Sequence, residues 1–95
     1  MIEKIKSAHT DDLCKAMVSI KSVEEAYRFL DDICTLSEIE EMSKRLTAAQ
    51  MLRDGVTYNE IALQTGLSTA TITRVNRALR YGSEGYHMVL DRIKR

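Results

Sequence analysis

Proline and tryptophan are both absent from this 95-residue chain, and glycine occurs only four times. Without proline, no position forces a break in backbone hydrogen bonding, and so few glycines leave few sites for sharp reversals. Leu, Ala, Glu, Lys, Arg and Met predominate instead, which points to an all-α fold. Cysteine is scarce too. Cys14 and Cys34 stand alone, without CxxC or Cys/His ligand spacing. That argues against a disulfide scaffold or a zinc site, and both read as reduced thiols in a cytosolic core. No apolar run is as long as a membrane span, and the segment MIEKIKSAHT lacks the apolar core of a signal peptide. A cytoplasmic location with no membrane partner is the expectation. Paired carboxylates, a nucleophile–base set and a phosphate loop are also missing, so no catalysis, cofactor or metal is expected.

What is present suits an ordered globular chain, with 44% apolar and 29% charged residues. At this length the chain is one small domain, residues 1–95, or a subunit that completes its core with a partner. Its formal net charge is zero, but the charge is unevenly spread. Residues 1–60 carry eight Lys/Arg against twelve Asp/Glu. Residues 61–95 carry six Lys/Arg against Glu84 and Asp91 alone. An acidic first part and a basic last part place any nucleic-acid face in the C-terminal third.

Three amphipathic helices are expected over about residues 10–54. The first starts near Thr10, with Leu13, Ala16, Met17 and Ile20 on one stripe, and Ile2 and Ile5 as a frayed arm. A capping box at Ser22 and Glu25 opens the second, striped by Val23, Ala26, Tyr27, Leu30 and Ile33. Thr35 and Glu38 form another box, in competition with Ser37 and Glu40, ahead of a helix ending at Gly55. Its inward residues are Ile39, Met42, Leu46, Ala49 and Leu52. These helices have more apolar face than the short C-terminal helices can cover, so they either fold tightly on each other as a monomeric bundle or pair with a second copy, and the second is favoured.

Residues 57–80 read as a helix-turn-helix. Thr57 caps a helix from Tyr58 to Thr65, Gly66 ends it in the left-handed conformation, Leu67 plugs the turn and Ser68 caps the next helix. Ile72 and Val75 are expected to pack back on Ile61 and Ala62. In GLSTATITRVNRALRYG (66–82) the β-branched alternation is strand-like, but the cap at Ser68 and the spacing of Ile72, Val75 and Leu79 make it a helix. The outward set is Ser68, Thr69, Ala70, Thr73, Arg74, Asn76, Arg77 and Arg80, with Thr71 on the border. Short residues near a helix N-terminus let it approach base edges, and Asn and Arg offer bidentate contacts to bases or phosphates. Thr57, Tyr58 and Asn59 sit where free backbone N–H groups suit a phosphate. Gly82 is read as left-handed and Ser83 as the cap of a last helix over 84–93. That helix packs through Tyr86, Val89, Leu90 and Ile93, and Tyr81 is read as a packing residue. His9 and His87 receive no role.

The segments TLSEIEEMSKR (35–45), MLRDGVTYNEIALQTGLSTATITRVNRALRYG (51–82) and EGYHMVL (84–90) resemble the Trp repressor superfamily, and more narrowly its YerC/YecD-type branch. The resemblance covers about residues 22–93. It implies a six-helix subunit with a C-terminal helix-turn-helix, intertwined with a second copy into a homodimer. Two heads on a two-fold axis imply a palindromic operator with half-sites about 34 Å apart. In tryptophan-responsive members, arginines hold the corepressor, and a glycine after the ATITR arginine leaves room for the indole. Arg74 matches that arginine. Arg45 matches a second, with a one-residue gap between it and Gly55, and Thr35 matches a residue whose backbone lines the pocket. The glycine is replaced by Val75, whose side chain would intrude on the ring. This set reads as a degenerate effector pocket, unsuited to tryptophan, with any other small effector unknown. The expected function is a homodimeric, sequence-specific regulator of transcription, a repressor by resemblance, with double-stranded DNA and itself as partners. The alternative is a helical interaction module whose helix-turn-helix binds protein.

Overall fold

A computed structural model describes residues 2–94. Among the described residues there are seven helices and no strand: α1 (Ile2–Ile5), α2 (Ala8–Ser19), α3 (Val23–Ile33), α4 (Leu36–Arg53), α5 (Tyr58–Thr65), α6 (Thr69–Tyr81) and α7 (Gly85–Arg92). No helix among them is long and apolar enough to cross a membrane. The all-α expectation holds, but the count is seven rather than six. The extra helix is α1, read from sequence as an arm of the helix after it. The two are separate because Ser7 turns extended and its hydroxyl accepts the Thr10 N–H, so α2 starts afresh at Ala8. Thr10 is therefore inside the helix, not at its start.

Side-chain caps fix the next two starts. Ser22 Oγ accepts the Glu25 N–H at 3.1 Å, while the Glu25 carboxylate accepts the Lys21 N–H at 2.9 Å. Thr35 and Glu38 close a reciprocal box, with 3.1 Å from the Glu38 N–H to the Thr35 hydroxyl and 2.8 Å from the Thr35 N–H to the carboxylate. The competing register at Ser37 is unused. Two hydrogen bonds, first from the Thr35 backbone and then from its hydroxyl, hold the Glu38 carboxyl below its ordinary 4.5.

The chain divides into two compact units, with the boundary after Ile39. In the first, α1, α2 and α3 bury no residue. Ala16, Ile20, Ala26 and Leu30 are half-buried, and the rest of the expected stripes stays open. Met17, Val23, Tyr27 and Ile33 are all more than half exposed.

The second unit has two interior clusters on α4. Ala48, Ile61, Leu67 and Ile72 form one, flanked by Met51, Leu52, Val56, Tyr58 and Ala62. Ala49, Val75, Leu79 and Leu90 form the other, flanked by Leu46, Leu52 and Tyr86. Consecutive residues on a helix lie about 100° apart, so Ala48 and Ala49 floor two neighbouring faces. The buried arc is therefore wider than the expected single stripe. Met42 lies on the line of Ala49 but two turns nearer the start of α4, before either cluster begins, and stays exposed. Val75 does not pack on Ile61 and Ala62, as its sequence position suggested. It belongs to the second cluster, beside Ala49 of α4 and Leu90 of α7.

His87 and Arg53 tie down α7. His87 Nε2 lies 2.9 Å from the Leu79 carbonyl oxygen at the end of α6. Arg53 donates to the Asp91 carboxylate and to the His87 carbonyl. The α6–α7 connection departs from expectation. Gly82 is extended (φ −86°, ψ −153°), and the left-handed residue is Glu84, φ 66°, which precedes α7 without any side-chain cap. Ser83 caps nothing. Gly82 is required for space rather than for φ: a Cβ there would lie 2.4 Å from the Ala78 carbonyl oxygen.

Candidate nucleic-acid interface

Three residues, Gly66, Leu67 and Ser68, join α5 to α6. Thr57 starts α5 by accepting the Glu60 N–H at 3.3 Å, but the Glu60 carboxylate accepts from the Gln64 amide instead of closing a box. Gly66, φ 74°, ends α5 with its N–H on the Ala62 carbonyl. A residue with a Cβ would be strained there. Leu67 is buried. Thr65, which sequence reading passed over, holds the turn. Its buried hydroxyl donates to the Ile61 carbonyl at 2.7 Å and accepts the Leu67 N–H at 3.2 Å. Ser68 accepts the Thr71 N–H at 3.1 Å and its hydroxyl pairs with that of Thr71.

Intrinsic propensity disfavours α6, because Thr69, Thr71, Thr73 and Val75 each lose rotamer freedom in a helix, at a few tenths of a kcal/mol apiece. Burial decides the matter. Ile72 is 0% and Val75 2% exposed, with Leu79 on the same side. Removing such side chains from water stabilises by about 1.5–3 kcal/mol each. At 100° per residue these three define the inward face. The opposite face is centred on Arg77 and carries Ala70, Thr73, Arg74, Arg80 and, at its edge, Thr69, all exposed. Thr71 and Asn76 lie on the borders, half-buried. No acidic residue occurs in α6. Among the described residues no hydrogen bond or ion pair occupies Arg74, Arg77 or Arg80.

At the N-terminus of α5, Thr57 and Asn59 are exposed, while Tyr58 is half-buried against the first cluster. Tyr58, expected with Thr57 and Asn59 to face a phosphate, has its ring partly committed to packing. Thr35, Arg45, Arg74 and Val75 are the residues read from sequence as an effector pocket. Val75 fills its space in the interior, and Arg74 is exposed on the outward face. Arg45 is half-buried on α4, with an Nε that is enclosed and unpartnered. Thr35 belongs to the first unit and is spent on the α4 cap.

Two further residues differ from their sequence-based assignments. Tyr81 is 83% exposed and does not pack. Its position four residues after Arg77 already carried the signal, since that spacing puts it on the outward face. His87, given no role, tethers α6 to α7. Tyr86 packs as expected.

Residues 8–94 match the family described as Trp repressor protein. The chain is 50% identical over 93 residues to YerC of Bacillus subtilis (strain 168), described as uncharacterized, covering 98% of this chain and 89% of that one. The crystal structure of a proposed Trp repressor from Staphylococcus aureus superimposes with a TM-score of 0.91 at 45% identity, over 98% of this chain and 93% of that one. A TrpR-like protein from Eubacterium eligens gives a TM-score of 0.90 at 47% identity, over 96% and 94% of the two chains.

Proposed function

This chain belongs to the Trp repressor family, and from that premise we propose that it is a cytoplasmic, non-catalytic regulator of transcription that binds double-stranded DNA as a homodimer. The α5–α6 pair is its helix-turn-helix head, and α6 enters the major groove. Thr69, Ala70, Thr73 and Arg74 face base edges, with Ser68, Thr71 and Asn76 at the margins. Arg77 and Arg80 pair with phosphates further along, and Thr57, Tyr58 and Asn59 meet the backbone at the N-terminus of α5. The observation that carries this reading is the outward face of α6: short side chains lead into arginines, all exposed, with no acidic residue in the helix. On a two-fold dimer the operator is palindromic, and occupancy represses.

Support for the dimer comes from the first unit, which buries none of its helical residues. Further support is an open groove of about 710 Å³ between α4 and α7, with apolar Leu46, Met51, Leu90 and Ile93 in its lining. A second copy covers these surfaces, so the open faces within residues 10–54 serve in dimerisation, while Ala48 and Ala49 stay in the subunit's own core. Val75 supports independence from tryptophan. The resemblance implies a glycine at this position in tryptophan-responsive members. The valine here is packed with Ala49 and Leu90, which supports reading the slot as filled by the protein's own side chain.

The test is binding of the unaltered protein, Arg74→Ala and Arg77→Ala to a duplex enriched from a random pool, titrated across salt. Loss of Arg77 should weaken binding uniformly and lower the salt slope by about one. Loss of Arg74 should cut discrimination at one base pair by about 1–3 kcal/mol. Binding indifferent to salt and to both substitutions would instead favour a protein-docking role for the pair, for which the 81% exposed Leu63 on α5 offers an apolar contact.

A further inference from the structure

Tyr81 is the last residue of α6 and, at 83% exposure, among the most open large side chains in the chain. No hydrogen bond among the described residues uses its hydroxyl. A lone exposed tyrosine needs no explanation by itself. Its position does. Four residues after Arg77 and seven after Arg74, it lies about 40° from the line of Arg77, within the arc that holds Ala70, Arg74 and Arg77. That arc faces away from Ile72, Val75 and Leu79. Arg80, on the other flank of Arg77, is exposed as well.

We propose that Tyr81 is a DNA-backbone contact that extends the α6 surface beyond the groove, its hydroxyl donating to a phosphate oxygen and its ring resting on the adjoining sugar. The inference rests on the reading of α6 as the groove-entering helix. Twelve residues separate Thr69 from Tyr81, which at 1.5 Å per residue is about 18 Å. The major groove is about 12 Å wide and 8.5 Å deep. With Thr69 and Ala70 at the base edges, Tyr81 has left the groove and stands at its sugar–phosphate wall. A phenol suits that place, combining a hydrogen-bond donor with an apolar face. The carbonyl end of a helix repels anions, and the Arg80 and Arg77 guanidinium groups offset that repulsion. Sequence is not read at this distance, so the contribution is the same on every duplex.

The experiment measures duplex affinity for the unaltered protein, Tyr81→Phe, Tyr81→Ala and Arg77→Ala, on the enriched duplex and on an unrelated one. Subunit association is followed in parallel. Tyr81→Phe should bind about five- to tenfold more weakly on both duplexes, the loss of one hydrogen bond. Tyr81→Ala should bind more weakly still. In both, the salt slope should stay unchanged, because no cation is removed. If Arg77→Ala weakens binding while both Tyr81 variants match the parent, the Tyr81 contact is wrong and the reading of α6 stands. If Tyr81→Ala loosens subunit association instead, Tyr81 meets protein and the inference falls. If neither duplex is bound by the parent, the inference falls together with the reading beneath it.

Discussion

The two units of this chain use similar helices to opposite ends. Beyond Glu40, α4 to α7 close two clusters in which Ala48, Ala49, Ile61 and Ile72 are fully buried. Before it, α2 and α3 have side-chain caps and apolar stripes, yet no residue of α1 to α3 is buried. Helix formation and core formation are thus separate matters. Local chemistry shapes the first unit, but much of its apolar surface stays open, and a helix with little tertiary burial is marginal in water. The second unit has its own interior and can hold a reading head in one geometry. A subunit divided in this way suits a dimer in which one part joins the copies and the other meets the ligand.

The contrast is easiest to break with charge. Val18 is 85% and Tyr27 71% exposed in the subunit. On a free surface, Val18→Glu and Tyr27→Glu would each shift stability by less than about 0.5 kcal/mol. If a second copy covers them, the double variant should lose about 3–5 kcal/mol of subunit association, because it buries unpaired charge. Analytical ultracentrifugation of the two proteins separates these outcomes, and an unchanged dissociation constant would remove the case for this face.

In the second unit the corresponding changes act on the fold. Ile72→Ala should destabilise by about 2–4 kcal/mol in denaturant unfolding, leaving a cavity against Ala48 and Ile61. Val75→Gly should cost about 1 kcal/mol or more through helix propensity and lost packing. Should L-tryptophan raise the melting temperature of the unaltered protein, Val75 does not exclude it. If tryptophan acts only on the Val75→Gly variant, the side chain alone was closing the slot.

The smallest effect sharpens the picture of how α7 is held. The Arg53 hydrogen bond, then the charges of Arg53, Lys94 and His87, keep the Asp91 carboxyl below its ordinary 3.8. A carboxyl depressed on folding contributes stability above its unfolded value and loses it as pH falls through the folded one. Asp91→Asn should therefore be slightly less stable than the parent at pH 7, with the difference starting to fade at about pH 4 and lost as pH falls through the lower folded-state value. Both groups meet solvent, so the effect is small. A difference that persisted at pH 2 would assign it to packing rather than charge.

How legible all this was in the sequence depended on range. The caps at Ser22, Thr35, Thr57 and Ser68 were readable because donor and acceptor lie three residues apart. The left-handed Gly66 and the inward Ile72 followed from local chemistry as well. The partner of Val75 was not readable, since Ala49 and Leu90 meet it only after three helices have packed. The α6–α7 corner misled for another reason. Glycine usually marks a left-handed turn, but here Gly82 is needed for a close approach to Ala78, and Glu84 takes the positive φ. Residue type alone makes Tyr81 a packing residue with a solvent-reaching hydroxyl, but helical spacing places it outward, where it is exposed. Of the candidate interface, the α6 face was legible as a periodic pattern. The half-burial of Tyr58 and the buried hydroxyl of Thr65 depend on tertiary packing and were not.

One measurement addresses the division of labour between the units and the role of α6 together: selection of duplexes from a random pool by the unaltered protein, followed by sequencing of the bound fraction. The account predicts an enriched site with two-fold symmetry, its half-sites about one helical turn apart, recovered with equal efficiency with or without L-tryptophan. Failure to enrich any sequence, or enrichment of a single half-site without symmetry, would contradict it.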